Sequence, residues 1–573
     1  MKKTFSKDLL FAGLFILSTL LTACSNFVKA KEPDVALANN PVNEDNQNRQ
    51  PSPTPIEDPL TIYIEETTPD GIFQKDNLPL ANDRDAALWF GLADGAPEGE
   101  ILTTAEVIYA IAAPFPTLTD DINLAVLQAF WRGTPMLDMT EVTKLYVPVE
   151  LGVVLARQLG NFAPDLVTLV DSPPNPEKLW DENAWAILPF DKLDPMLKVI
   201  SLDGASPLHT SFYPESYPLT LMFDLVQNPA YAEEMTVSDI QPFLNAIQTT
   251  NRDITKMTTL VMTGVTALVR TTAYKMEENG VLYPGEAIVD WLSEADLTHI
   301  SNEVSFYEDC PFPSSQSIAL IFCSNPKYID LLEYVGVDIV ELTGNHNNDM
   351  LALHGVDVFR STLEMYLSRG WTYYGGGFDL EDAITPKIIE HNGNPLAFIG
   401  CNASGPDYAW ATDSQGGAAP CGDYAWLVDE ITQLRTEGYL PIVTLQYYED
   451  YTNYPQDYMI EDFGLLADAG AIIVNGSQAH IAKSFAFSSG TFIDYGLGNL
   501  FFDQMGVTDT QNNYDVRTRW EIIQRHTFYD GQYLSTELLT AMLEDYSQPR
   551  PMTPEERLIF LESLFTTSGW LPR

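Results

Sequence analysis

The side chains best suited to chemistry stand in short polar clusters, several of them directly after an apolar run. Gly344-Asn345-His346-Asn347-Asn348-Asp349 follows Asp338–Thr343, and Gln446-Tyr447-Tyr448-Glu449-Asp450 follows Ile442–Leu445. Gly476-Ser477-Gln478-Ala479-His480 follows Ala471–Val474, Glu303 precedes them all, and Gly496-Leu497-Gly498-Asn499 closes the series. Imidazole, carboxylate and amide groups carry protons and hold polar ligands. Each has a plainer reading as well. His346 can serve a hydrogen bond within its loop, Asn345 an Asx turn before a helix starting near Leu351. Glu303 can be a surface carboxylate, Glu449 and Asp450 a solvated rim, and Gly496 and Gly498 turn requirements. The remaining histidines, His209, His299, His354, His391 and His526, form no spaced ligand set.

Strands must position these clusters. Thr259–Thr263, Asp338–Thr343, Leu396–Cys401, Ile442–Leu445 and Ala471–Val474 are short apolar runs separated by amphipathic helical patterns. That alternation predicts a parallel or mixed sheet covered on both faces. Ligands collect beyond the carboxyl ends of such strands. The clusters are therefore expected to meet in one cleft, with Asn345, His346 and His480 as neighbours. Upstream, Thr104–Ala110 leads into the turn Pro114-Phe115-Pro116, Asp121–Trp131 has helical apolar spacing, and Trp185–Phe190 reads as a buried strand stopped by proline. Asn228–Thr255 reads as a helical, polar-faced connector.

The 573 residues carry 30 Lys and Arg against 80 Asp and Glu, a net charge of −50. Such a chain repels phosphate backbones, and no basic run offsets this, so nucleic acid is excluded as a partner. Lys2, Lys3 and Lys7 precede an apolar run from Leu9 to Leu21, the pattern of a signal peptide. Leu21-Thr22-Ala23-Cys24 resembles a bacterial lipobox, which predicts an acylated Cys24 and a lipid-anchored chain on the extracytoplasmic face of the cell membrane. The alternative is a plain secretory signal with an incidental Cys24. Residues 25–59 are rich in Asn, Asp, Glu, Pro, Gln and Ser and read as a flexible tether. Cys310, Cys323, Cys401 and Cys421 allow two disulfides in three pairings. Cys310–Cys323 and Cys401–Cys421 close the shortest loops, each worth about 3 kcal/mol on the loop-entropy account. Four buried thiols are the alternative.

The ordered clusters resemble the CapA family of capsule and poly-γ-glutamate synthesis proteins, whose domain is similar to calcineurin-type metallophosphoesterases. The likeness rests on Thr263-Gly264 through Arg270, Ala295-Asp296 through Glu303, and Gly344-Asn345-His346 with Asp349 and Gly355. Gly375-Gly376-Gly377, Gly476 through His480, and Tyr495 through Asn499 with Phe502-Asp503 complete it. The region before residue 228 more loosely resembles type 2 periplasmic substrate-binding proteins of the phosphate-binding branch. Together these imply an α/β fold: a periplasmic-binding-like domain, then a metallophosphoesterase-like one. The expected organisation is a lipoprotein signal peptide at 1–23, a disordered tether at 24–59 and a periplasmic-binding-like domain at 60–227. A helical connector at 228–255, a CapA-like domain at 256–545 and a C-terminal helical tail at 546–573 follow.

By the same resemblance, His346 with Asp349 would carry the catalytic proton, Glu303, Asn345 and His480 would face a metal, and Gln446, Glu449, Gln478 and Asn499 would line the cleft. The departures are Val265, where the family has Asp, and Gln446 and Gln478, where it has His. They imply at most one divalent ion (Mn, Zn or Fe), weakly held or absent. Three functions follow: a lipid-anchored capsule or poly-γ-glutamate protein that binds an extracellular polymer, a metal-dependent hydrolase of a phosphoester or amide polymer, and a non-enzymatic lipoprotein for a small solute.

Overall fold

The computed structural model describes residues 60–232, 235–316, 321–508 and 513–573. The expected signal peptide, Cys24 and the tether lie outside the described residues.

The first sheet is organised by one long strand, Glu100–Pro114. Its run Ile108–Ala113 is buried on both faces, as a continuous apolar stretch in a central strand must be. Thr220–Gln227 pairs antiparallel along its first half, and Trp185–Pro189 and Leu197–Leu202 along its second. Leu145–Pro148 and Val167–Val170 extend the sheet in parallel. Asn123 caps the helix Leu124–Trp131, its side chain accepting from the Val126 amide. Between 228 and 255 the α-helix is confined to Val237–Asn245.

Two further sheets carry the polar clusters. In one, Thr372–Tyr374, Ile339–Glu341, Leu297–Asn302 and Met257–Met262 run parallel, and Trp520–Tyr529 joins antiparallel with its hairpin partner Gln532–Glu544. In the other, Asn394–Asn402, Leu440–Gln446, Ile473–Ser477 and Thr491–Asp494 run parallel. The fold is α/β, but the single sheet expected from the strand pattern is two sheets packed face to face. Helices cover the outer faces, Arg270–Asn279 and Asp357–Ser368 on one, Ala425–Thr436 and Asp457–Asp468 on the other. An apolar run says that both faces are buried. It does not say whether a helix or a second sheet does the burying.

The layer between the sheets is apolar around Leu260, Met262, Phe398 and Ile442, with polar cross-links between the sheets. His299 Nε2 meets Tyr374 Oη at 2.9 Å, and Tyr374 Oη meets Thr444 Oγ1 at 2.7 Å. Ser301 and Ser477 hydroxyls meet at 3.2 Å, and Gln524 donates to Asp494. Burial pushes His299 down to about 3, so its imidazole stays neutral. Both sequence-expected disulfides of shortest span are formed, Cys310–Cys323 and Cys401–Cys421. Residues 546–573 contribute a strand, Gln548–Pro551, and the helix Pro554–Thr567, which Thr553 and Glu556 cap reciprocally. Phe115, from the end of the long first-sheet strand, packs among Phe487, Phe492 and Trp570 at 5.3–5.8 Å, tying the first sheet to this helix region.

Asp494 yields a test of the interlayer. Burial raises its carboxyl to about 8, while the Gly496 amide and Gln524 oppose the shift only in part. A carboxyl raised on folding stabilises fully below its unfolded pKa, and that contribution fades as pH rises through the folded value. In Asp494→Asn the Gly496 contact survives, and Gln524, whose Oε1 is unpartnered, can turn to accept. Relative to the parent, the melting temperature of Asp494→Asn should rise by several degrees between pH 5 and pH 8, read by calorimetry. A pH-independent difference would contradict the burial of a neutral acid there.

Candidate active-site cleft

The parallel strands of both sheets end at one edge, and the clusters meet there. Backbone packing at this edge is tight. A Cβ on Gly264 would lie 2.2 Å from the Gly498 carbonyl oxygen, and one on Gly476 would lie 2.3 Å from that of Tyr495. Val265 donates its amide to Gly498 at 2.9 Å, which pins the Gly496–Asn499 segment beside the first strand. Val265 is buried and presents no polar group to the cleft.

At the centre is the side-chain amide of Gln446. Its Nε2 donates to Glu303 Oε1 and to Asn345 Oδ1, each at 3.2 Å, and to Gln478 Oε1. Three oxygens from three loops thus converge on one nitrogen whose two hydrogens they share. Glu303 is 2% exposed, so it is no surface carboxylate. Gln478 reaches this point from a left-handed backbone, φ 73°, which costs a non-glycine residue about 1 kcal/mol or more.

His346 forms a second unit with Asp349. Its Nδ1 lies 2.7 Å from Asp349 Oδ2, which also accepts the Phe322 amide at 2.9 Å. The carboxylate oxygen can only accept, so Nδ1 carries the proton and Nε2 is the nitrogen left for a ligand. Burial by itself would lower the His346 pKa. The hydrogen bond to Asp349 and the charges of Glu303, Asp349 and Glu449 outweigh it and raise the imidazole above its ordinary value. Phe322 packs on the ring at 4.6 Å.

His480 belongs to a third unit. Its Nδ1 meets Asn499 Oδ1 at 2.8 Å, and its ring stacks on Phe502 at 5.1 Å. Asn499 donates back to the His480 carbonyl oxygen at 3.1 Å. The loop bearing Glu449 is held from below: Lys483, fully buried, donates to Asp450 at 2.5 Å and to the Thr452 carbonyl oxygen at 2.6 Å. Above it Tyr451 donates to Glu449 at 2.6 Å and accepts from Gln504 at 2.9 Å. Glu449 is thus a fixed wall of the cleft.

The structure therefore joins Glu303, Asn345, Gln446 and Gln478 directly, pairs His346 with Asp349, and pairs His480 with Asn499. Arg270 bridges the two histidine units and was not legible as a site residue. Its guanidinium lies 5.3 Å from the Phe322 ring and 4.8 Å from that of Phe502, and it is bound to Asp503. Its backbone is left-handed, φ 46°. The usable signal was an arginine inside a long apolar stretch of a chain poor in cations.

Among the described residues no three His, Cys, Asp or Glu side chains gather as a metal site. The cleft centre offers one carboxylate and three amides, with an amide N–H2 directed at the oxygens, and both imidazoles turn Nδ1 elsewhere. The Mn, Zn or Fe implied by the resemblance does not fit this donor set, because neutral amide oxygens are weak ligands for those ions.

Residues 259–504 match the family described as Bacterial capsule synthesis protein PGA_cap. The chain is 27% identical to the PGA biosynthesis protein CapA of Bacillus subtilis (strain 168) over 194 residues, 33% of this chain and 49% of that one. It is 25% identical to the capsule biosynthesis protein CapA of Bacillus anthracis over 229 residues, 39% of this chain and 52% of that one. The chain spans about half the length of the curated relatives it matches. Among solved structures, an ABC-type phosphate transport receptor from Vibrio cholerae aligns with 28% of this chain and 72% of its own, at 12% identity and a TM-score of 0.23. The NAD nucleotidase of Haemophilus influenzae aligns with 54% and 56%, at 8% identity and a TM-score of 0.25. These structural likenesses are too slight to carry any conclusion.

Two substitutions probe the cleft. Gln446→Leu leaves three buried or half-buried oxygens facing one another without a donor and should lower unfolding stability by about 2 kcal/mol in denaturant titration. A change within about 0.5 kcal/mol would contradict the network. Asp349→Asn should lower the His346 pKa, read from the ring carbon resonances of 13C-histidine-labelled protein. An unmoved titration would contradict the assigned cause.

Proposed function

From the match of residues 259–504 to the bacterial capsule synthesis family PGA_cap, we propose that this chain serves capsule or poly-γ-glutamate synthesis or export by gripping the amide backbone of the polymer in the cleft. It acts by holding the chain more than by cleaving it, from the outer face of the cell membrane, where a lipid on Cys24 anchors it. Among the described residues no helix is long and apolar enough to cross a membrane.

The observation that carries this reading is the single Gln446 nitrogen shared by Glu303, Asn345 and Gln478. Such a network is under-supplied without a ligand: two hydrogens serve three oxygens, and Gln446 Oε1 has no partner, so an incoming amide N–H meets acceptors already short of a donor. At the wall Glu449 supplies an acceptor, and His346 Nε2 is an acceptor in the neutral ring and a donor once the ring is protonated. No step of this reading passes through a metal ion.

Charge sets the geometry of the grip. A chain at −50 repels a polyanion, and salt screens that repulsion over about 10 Å at 0.1 M. The polymer's carboxylates therefore point away from the amide floor, into solvent.

Calorimetric titration of the full chain with a γ-linked glutamate oligomer tests the reading. Affinity should rise as salt goes from about 20 to about 200 mM, should exceed that for the α-linked oligomer, and should fall about tenfold in His346→Ala. Absence of binding, or equal affinity for both linkages, would remove the proposal. Metal-dependent turnover of the oligomer, or of a phosphoester, would favour the hydrolase instead. In cells Cys24→Ser should move the chain out of the membrane fraction.

A further inference from the structure

A second polar cavity lies between the first sheet, the hairpin strand Gln532–Glu544 and the helix Pro554–Thr567, and shares no residue with the cleft. Its volume is about 250 Å³. Phe115, Leu208, Leu561 and Phe565 give it apolar walls. Lys198 and Arg557 both enter it and share one carboxylate, that of Asp120. Lys198 Nζ lies 2.6 Å from Asp120 Oδ1, and Arg557 grips Asp120 with Nε and Nη2 at 2.7 and 2.8 Å. The Asp120 side chain is half exposed, whereas the Lys198 and Arg557 side chains are 15% and 20% exposed. The other carboxylate of the lining, Glu537, is committed to Arg525 at 3.0 Å and faces His209 at 3.4 Å.

With Arg525 counted as the partner of Glu537, the cations Lys198, Arg557 and Arg525 face the carboxylates Asp120 and Glu537, which leaves one positive charge in excess around the cavity. In a chain with 30 cations and 80 acidic residues this is a local inversion. A charge drawn out of water in excess of its partners is costly unless an opposite charge is supplied. Burial and the neighbouring Arg557 hold Lys198 down to about 8, against the pull of Asp120 and, more weakly, of Glu537. Ser535 adds a second, independent sign. It is 1% exposed, lines the cavity, and its hydroxyl has no hydrogen-bond partner in the protein. A buried hydroxyl left open costs about 1–3 kcal/mol unless a ligand or water meets it.

We propose that this cavity is a binding site for a small organic monocarboxylate, whose anionic group is met by Lys198 and Arg557 and whose apolar body lies against Phe115, Leu208 and Leu561. The apolar walls select against inorganic anions, and the single excess charge selects against dianions. The Ser535 hydroxyl hydrogen-bonds a polar atom of the ligand.

Benzoate and cyclohexanecarboxylate are the probes, with benzylamine and benzyl alcohol as shape controls lacking the negative charge. In thermal-shift and calorimetric titrations of the full chain, at least one carboxylate should raise the melting temperature and bind at one site, while the two controls do neither. Lys198→Met should weaken that binding about tenfold. Ser535→Ala removes an unpartnered hydroxyl, so it should leave the free protein's melting temperature unchanged or higher while weakening binding about threefold. The Ser535 variant keeps the test decisive should Lys198→Met fail to fold. No carboxylate binding up to about 10 mM, equal binding of benzylamine, or parental affinity in the variants would each overturn the proposal.

Discussion

The cleft depends on one hydrogen-bonding group, the amide of Gln446, set at the end of a strand in one sheet and reaching the loops of the other. Glu303 and Asn345 follow strands of the first of the two facing sheets, and Gln478 follows a strand of the second. A buried carboxylate and two amide oxygens aimed at a common point repel one another unless a donor or a cation stands between them. Here the donor is the protein's own. That nitrogen ties the three loops together at the strand ends.

The same constraint shapes the layer beneath. Two sheets packed face to face cannot bury His299, Thr444, Ser301, Ser477, Asp494 and Gln524 without pairing them, and most of them pair across the gap. Polar cross-links of this kind fix how one sheet registers on the other, which a purely apolar interface of Leu and Ile would leave freer to slide. Register matters because the cleft is assembled from both sheets. A shift of one residue at Ser301 and Ser477 would carry Glu303 away from Gln446.

Much of this was legible from residue types. Five apolar runs located five strands of the cleft domain to within a few residues, because a run buried on both faces has few other uses. Leu297–Asn302, which leads into Glu303, reads Leu-Thr-His-Ile-Ser-Asn and was missed because polar residues interrupt it. The clusters after them marked the loops, and the short cysteine spacings marked the disulfides that formed. What covers the strands was not legible, since burial by a helix and burial by a sheet leave the same pattern. Nor was the pairing of Trp520–Tyr529 with Met257–Met262, which joins residues more than two hundred positions apart and is specified by packing. In the cleft, the replacement of histidine and aspartate positions by Gln446, Gln478 and Val265 was plain in the sequence. Its consequence was not, because whether an amide nitrogen or oxygen faces a carboxylate is decided only in three dimensions. Arg270 was read only as the end of a family segment and given no role in the site, because its partners Phe322, Phe502 and Asp503 lie far along the chain.

The account stands on an amide nitrogen, and not an ion, joining the three oxygens at the cleft centre. Elemental analysis by plasma mass spectrometry of the full chain, purified without chelators, tests this most directly. The predicted result is Mn, Zn and Fe each far below stoichiometry. A reproducible single ion per chain, lost on substitution of Glu303 or Asn345, would contradict it.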